Sequence, residues 1–172
     1  MKSKLILLVC LLLMTSQIAK SQESAEIIIK EAQVTAKKEG KHIFVLFHAS
    51  WCGWCKKMDN NMMSDTTKAL FEGEYIIKHL TVQESKKNKN LENPGAQELL
   101  VKYKGENSGI PFWLIFDADG NLITDSLDNK GNNIGCPATP DEVKQFTAKL
   151  KSSSSLTDAD LKVIYNQFVD RP

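Results

Sequence analysis

Apolar and polar positions follow two different spacings along the chain. Three segments are apolar and rich in β-branched or aromatic residues, which predicts buried strands at 42–49, 75–82 and 112–116. Asp119-Gly120 predicts a tight turn from the third of these into a fourth strand at 122–126. The first strand has apolar side chains pointing both ways, so it should lie inside the sheet with both faces covered.

Helical spacing and capping signals separate the strands. Ser24 and Gly40 bound the first predicted helix, and Thr139-Pro140-Asp141-Glu142 is a capping box that opens a helix to about residue 150. Polar residues 84–93 are typical of a solvated loop. The remaining helices are predicted at 55–62, in a further turn up to 71, from Pro94 as first helical residue to about 103, and after the cap Thr157. The alternation predicts an α/β fold with a central sheet of about four strands, helices on both faces and an extra C-terminal helix.

The N-terminus has the layout of a secretory signal. Lys2 and Lys4 precede an apolar run at 5–14, and small residues at 19 and 21 suit cleavage after Ser21. The run is too short to cross a bilayer, which needs about 20 residues. We therefore expect a signal peptide at 1–21 and a single domain at 22–172, with a core at about 25–150 and a helical extension at about 156–170. The expected location is the periplasm or the extracellular space, with no membrane span after cleavage.

Charge and cysteine content narrow the function classes. Without residues 1–21 the chain keeps 19 basic and 21 acidic residues, a net charge of about −2. No strong basic field is present, so nucleic acid is not an expected partner. Cys52, Cys55 and Cys136 remain, too few for a scaffold held together by disulfides.

The stretch HASWCGWCKKM, residues 48–58, carries the candidate chemistry. Cys52 falls where a strand ends and a helix begins, and Cys55 lies one turn later on the same face. The helix start stabilises negative charge, so we expect the pKa of Cys52 to fall from about 8.5 into a range of roughly 3.5 to 7.5. Cys52 would then be an exposed attacking thiolate, and Cys55 the deeper thiol that resolves the mixed disulfide.

Two other interpretations of the cysteine pair, a metal site and a permanent structural disulfide, have less support. Structural zinc usually needs four ligands, and no second pair at ligand spacing accompanies this one, so no metal site is predicted. A permanent structural disulfide closing so short a loop would remove little chain entropy.

The segment 47–56 resembles the active site of the thioredoxin superfamily. The later Gly109-Ile110-Pro111 and 116–120 resemble its exported thiol–disulfide interchange branch, over about 25–150 of the chain. The resemblance implies a thioredoxin-like fold with a mixed sheet, and a cis Pro111 facing the cysteines. It also implies that the backbone of Ile110 pairs with an extended substrate, that Trp51 and Trp54 form an apolar contact surface, and that Gly53 with Trp54 tunes the redox potential.

One departure from the family concerns proton transfer. Many thioredoxins carry a buried aspartate six residues before the first cysteine, where this chain has Leu46. His48 or Lys56 are the candidate modulators of the cysteines in its place. Cys136 is expected to be a buried small hydrophobe, a regulatory thiol or a point of intermolecular pairing.

These observations predict an exported thiol–disulfide oxidoreductase that acts on protein thiols and disulfides. It would need no bound cofactor, would work as a monomer and would depend on an unidentified redox partner to reset its cysteines. Two alternatives are a non-catalytic binding or chaperone-like module with the same fold, and a metal-handling thioredoxin-like protein.

Overall fold

The computed structural model describes residues 22–169. The predicted signal peptide at 1–21 and residues 170–172 lie outside this range. The strands are β1 (His42–His48), β2 (Tyr75–Thr81), β3 (Phe112–Phe116) and β4 (Leu122–Asp125). The helices are α1 (Ala25–Glu39), α2 (Gly53–Met62), α3 (Lys68–Glu74), α4 (Ala96–Lys102), α5 (Pro140–Ser152) and α6 (Asp158–Phe168), with a 3₁₀ turn at Lys86–Leu91.

The four strands form one mixed sheet in the order β2-β1-β3-β4. β1 runs parallel to β2, with His42 opposite Tyr75 and His48 opposite Thr81. It runs antiparallel to β3, which pairs in turn with antiparallel β4. The predicted α/β fold with a mixed four-stranded sheet is therefore confirmed, and the carboxyl ends of the parallel pair meet at one edge.

Helices cover both faces of the sheet because the side chains of a strand alternate between its faces. On one face Phe44 and Trp113 pack against residues of α2, α5 and α6. On the other face Val45 and Leu114 pack against α1 and α4. α6, predicted as an extra helix, belongs to the first of these cores, since the rings of Phe146 and Phe168 lie 5.0 Å apart.

Several capping signals act as the sequence predicts. The Ser24 hydroxyl accepts from the amide of Ile27, and Gly40 ends α1 in the left-handed region at φ 67°. Thr139 and Thr157 both begin their helices with complete capping boxes. None of the helices in the described part of the chain has the length and apolar content that crossing a bilayer demands.

The segment between β2 and α4 differs from the prediction. Pro94 is not the first helical residue, because Gly95 adopts φ 82° as the N-cap and α4 begins at Ala96. Asn93 is tied to the end of β2, where its side-chain oxygen accepts from the amide of Thr81 at 2.7 Å. The stretch expected to be a solvated loop instead contains a 3₁₀ turn and a buried carboxylate, Glu84.

Candidate active site

The loop from β1 to α2 presents the two cysteines at the start of the helix. The amide of Cys52 donates to the carbonyl of Ala49 at 3.0 Å, which closes a tight turn. Cys52 is the N-cap of α2, with extended backbone angles, and its Sγ accepts from the amide of Cys55 at 3.1 Å. A sulfur thus takes the place that a hydroxyl or carboxylate oxygen occupies at most helix starts.

Cys52 and Cys55 are joined in a disulfide, with their Cα atoms 5.3 Å apart. The prediction that this spacing brings both sulfurs within bonding distance is confirmed. The prediction that Cys52 is exposed is wrong, because Cys52 is 3% exposed and Cys55 is 1% exposed. Ala49 and Ile110 pack against the pair, and the Sγ of Cys52 lies 3.6 Å from the carbonyl oxygen of Ile110.

Two tryptophans lie exposed beside the buried disulfide. Trp51 is 57% exposed and Trp54 is 53% exposed, values that set them apart from the core aromatics. The indole N–H of Trp51 donates to the carbonyl of Gln83 at 2.9 Å, and the ammonium of Lys57 lies 4.8 Å from the ring centre of Trp54. Gly53 between them is exposed, and a Cβ there would meet no atom within 4 Å. The two indole rings therefore expose apolar surface directly beside Cys52 and Cys55 in the chain.

The loop before β3 approaches the cysteines from the other side. The Ile110–Pro111 peptide bond is cis, as the resemblance implied. The side-chain amide of Asn133 holds this loop, because it donates to the carbonyls of Ser108, Gly109 and Pro111 at 3.1, 3.1 and 2.9 Å. Sequence reasoning missed Asn133, because the three carbonyls to which its amide donates lie more than twenty residues away.

An open groove of about 480 Å³ runs between this loop and residues 133–139. Trp54, Ile110 and Pro111 line one part of it, and Ile134 and Cys136 another. Cys136 is 8% exposed, so its predicted burial is confirmed. Of the residues predicted to contact substrate, Trp54, Ile110 and Pro111 line this groove, and Trp51 and Gly53 are exposed outside its lining.

The two candidate modulators differ in their surroundings. Lys56 is exposed on α2. His48 is partly buried at the end of β1, where its Nε2 lies 3.2 Å from the hydroxyl of Thr81 and its ring lies 5.3 Å from that of His79. Burial, and then the neighbouring His79, lower the pKa of His48, which opposes the charged form on which its modulating role depended.

No acid occupies the usual buried position on β1, since Leu46 is fully buried in the apolar core there. A different acid lies close to the loop. Glu84 is 4% exposed and accepts from the amide and the hydroxyl of Ser50 at 2.5 and 2.9 Å. Burial raises the pKa of Glu84, but the hydrogen bonds from Ser50 and the following turn outweigh it, and the pKa lies below its ordinary value.

Sequence reasoning also missed Glu84. Its position just after a strand parallel to β1 was the available signal, because the carboxyl ends of neighbouring parallel strands meet at one edge.

Within residues 22–169, no group of three or more His, Cys, Asp and Glu side chains is arranged to hold a metal ion.

The mixed sheet, the disulfide at the start of α2 and the cis proline opposite it define a thioredoxin-fold protein with a Cys-x-x-Cys centre. A sequence model of the thioredoxin-like domain matches residues 29–127, and the chain belongs to this family.

A solved structure with a TM-score above 0.5 agrees on the fold. A disulphide isomerase from Xylella fastidiosa Temecula1 is 19% identical, with a TM-score of 0.51 over 90% of this chain and 93% of that one. A DsbH oxidoreductase is 25% identical, with a TM-score of 0.46 over 80% of this chain and 90% of that one. The C-terminal domain of DsbD from Neisseria meningitidis, in its oxidised form, is 23% identical, with a TM-score of 0.40 over 60% and 84% of the two chains. No curated protein matches the chain.

Proposed function

We propose that this protein is a thiol–disulfide oxidoreductase that exchanges disulfides with protein substrates. One observation carries the proposal: the sulfur of Cys52 caps α2 and accepts the amide of Cys55, while Cys55 itself lies at bonding distance. The unpaired amides of a helix start stabilise a thiolate, and the thiolate is the form of cysteine that attacks a disulfide. Membership of the thioredoxin-like family supports the same chemistry.

The exchange proceeds in two steps that need no bound cofactor. The Cys52 thiolate attacks one sulfur of a substrate disulfide, forms a mixed disulfide and expels the other substrate sulfur as a thiolate. The Cys55 thiolate then attacks the Cys52 sulfur, which forms the Cys52–Cys55 disulfide and releases the second substrate thiolate. Two electrons pass to the substrate, and the two protons lost by the enzyme thiols end on the substrate thiols. A dithiol redox partner returns the pair to the reduced state.

The surfaces beside the cysteines support a protein substrate. Trp51 and Trp54 expose large apolar faces, and such residues often anchor protein contacts. Ile110 and Pro111 line an open groove of about 480 Å³, and the backbone of Ile110 would offer strand-like pairing to an extended substrate chain there. We further propose that Cys52 and Cys55 are the catalytic residues, with Trp51, Gly53, Trp54, Ile110 and Pro111 as the substrate-contacting set.

We also propose that the protein is exported and acts as a single domain. The layout of residues 1–21 supports export to the periplasm or the extracellular space. Residues 22–172 would act there as a single-domain monomer. The packing of α6 against the same core as α5 supports treating the C-terminal extension as part of that domain.

Reduction of insulin in the presence of dithiothreitol tests the proposal. We expect the wild type to accelerate the reaction, and Cys52→Ser and Cys55→Ser to abolish the acceleration. The two variants also test the separate roles, because Cys55→Ser should accumulate a mixed disulfide with substrate while Cys52→Ser should not. Unchanged turnover in both variants would reject the assignment.

The exposed tryptophan pair also favours a second candidate, a binding module that holds clients without turnover. In that case wild type and both serine variants would bind an unfolded polypeptide equally and none would reduce insulin. Stoichiometric metal in protein purified under reducing conditions would instead indicate metal handling.

A further inference from the structure

The segment that follows β2 is attached directly to the loop that carries the cysteines. We call residues 49–52 the redox loop. The indole of Trp51 donates to the carbonyl of Gln83, and both polar hydrogens of Ser50 point to the carboxylate of Glu84. Ser50 and Glu84 are 34 residues apart in sequence, so this contact exists only in the folded chain.

We propose that Glu84 is a positioning residue, whose carboxylate fixes the redox loop and thereby holds Cys52 at the start of α2. The inference rests on the proposed function, since it concerns how that site is kept ready for exchange. Glu84 is 4% exposed, and burying a carboxylate is costly unless strong hydrogen bonds offset the loss of water. Here both carboxylate oxygens accept from Ser50, which lies two positions before the nucleophile, and the turn that follows Glu84 donates further hydrogen bonds to the carboxylate.

We call the two hydrogen bonds from Ser50 to the carboxylate of Glu84 the clamp. The geometry of the redox loop explains how the clamp affects the position of the Cys52 sulfur. The turn closes with the amide of Cys52 on the carbonyl of Ala49, so Ser50 sits inside the turn. Fixing its amide and hydroxyl restricts the backbone that leads into Cys52. The Cys52 sulfur can accept the amide of Cys55 only if that backbone stays extended, as it is here at φ −77° and ψ 101°.

Glu84 is itself held in place. Its backbone amide donates to a side-chain oxygen of Glu92 at 2.6 Å, and the same oxygen accepts from the ammonium of Lys89 at 2.7 Å. The carboxylate therefore projects from a segment whose backbone is fixed by a second layer of hydrogen bonds.

The chain contains a matched control for this clamp. The carboxylate of Glu74, at the end of α3, accepts from the amide and the hydroxyl of Ser155 at 2.8 and 2.5 Å. The donors and the bidentate arrangement are the same, but Ser155 lies in the turn before α6. We expect the loss of this second clamp to lower folding stability and to leave the redox loop unchanged.

The test compares Glu84→Ala, Glu84→Gln and Glu74→Ala in the full chain. The first readout is the pH at which the reduced Cys52 reaches half its maximal rate of alkylation by iodoacetamide. In Glu84→Ala we expect this midpoint to rise by roughly 0.2 to 0.7 pH units, the range that corresponds to losing the helix-start contribution. Turnover of insulin should fall about tenfold or more, because small displacements of a reacting group are costly.

The glutamine variant separates position from charge. Its amide oxygen can accept from the amide of Ser50, and its NH₂ can donate to the hydroxyl oxygen, so the clamp survives without the negative charge. We expect Glu84→Gln to keep the wild-type midpoint. A midpoint that moves to lower pH in this variant would show that Glu84 acts through its charge, and would overturn the proposal.

Glu74→Ala should lower the unfolding temperature but leave the midpoint and the turnover per folded molecule unchanged. Equal midpoints in Glu84→Ala and Glu74→Ala would also overturn the proposal. If Glu84→Ala does not fold, Ser50→Ala, which removes only the hydroxyl bond, should raise the midpoint by less, and no rise there counts against the clamp. A wild type that does not reduce insulin would reject the proposed function, while the alkylation midpoints would still decide the role of Glu84.

Discussion

The N-termini of α2 and α6 have the same capping geometry but serve different roles. At α6 the hydroxyl of Thr157 accepts from the amide of Asp160 at 3.2 Å, and at α2 the sulfur of Cys52 accepts from the amide of Cys55 at 3.1 Å. At α6 the Asp160 carboxylate also accepts from the amide of Thr157, and the first turn holds two acids. The first turn of α2 contains no acidic residue.

The difference shows which negative charge each helix start stabilises. A helix start stabilises negative charge within about one turn. In α6 the carboxylates of Asp158 and Asp160 already use this effect, and their contribution is to stability. In α2 the effect is left for whatever negative charge forms on Cys52. The missing acids at α2 therefore point to function, because ordinary capping would have favoured them.

Placing an acid in the first turn of α2 should remove most of this contrast. Gly53→Asp puts a carboxylate one residue from Cys52, at a position where a new Cβ meets nothing within 4 Å. Because a like charge so close opposes thiolate formation, we expect the alkylation midpoint of reduced Cys52 to rise by about one pH unit. Below the midpoint the alkylation rate should fall about tenfold.

The matched control is Gly53→Asn, which has nearly the same size and no charge. It should leave the midpoint within about 0.2 pH units of the wild type. A midpoint that moves equally in both variants would mean that the glycine backbone, and not the uncompensated helix start, sets the reactivity.

Removing the cap of α6 should have a smaller and separate effect. Thr157→Ala deletes the hydroxyl that accepts from Asp160, and loss of such a cap costs about 1 kcal/mol of folding stability. We expect the unfolding temperature to fall by about 2–4 °C, measured by calorimetry, and the alkylation midpoint of Cys52 to stay where it is. A shifted midpoint would show that the two helix starts are not independent.

Local signals predicted much of this contrast. A Ser or Thr cap, a proline at the first helical position and acids in the first turn each depend on a few adjacent residues. Thr139 and Thr157 both cap their helices as these patterns predict. Cys52 could likewise be placed at a helix start from the strand that precedes it. The prediction for Pro94 was wrong because Asn93 pairs with β2, and this tie overrode the local preference.

What the sequence could not show depends on contacts between distant segments. Cys52 packs against Ile110, 58 residues away, and the clamp on Ser50 comes from Glu84, in a stretch whose lysines suggested only a solvated loop. Asn133 binds a loop more than twenty residues before it. A pattern of polar residues does not reveal which of them will turn inward once the strands have paired.

A protonated His48 would be a second source of positive charge near Cys52, and its removal should have the smallest effect of the changes considered. Burial, and then His79, lower its pKa from the ordinary value of 6.5, so the folded protein favours the neutral ring. The unfolded chain therefore takes up a proton first as the pH falls below 6.5, and wild-type stability declines until the folded pKa is passed.

His48→Phe should reduce this acid-dependent loss, measured as the difference in free energy of unfolding between about pH 7.5 and about pH 5.5 in urea. Because the ring is neutral above its lowered pKa, the variant should not raise the alkylation midpoint of Cys52. An equal loss of stability in wild type and variant would contradict the direction of the pKa shift. A higher midpoint in the variant would show that a protonated His48 helps the start of α2 to stabilise the Cys52 thiolate. The helix start alone would then not explain the difference between α2 and α6.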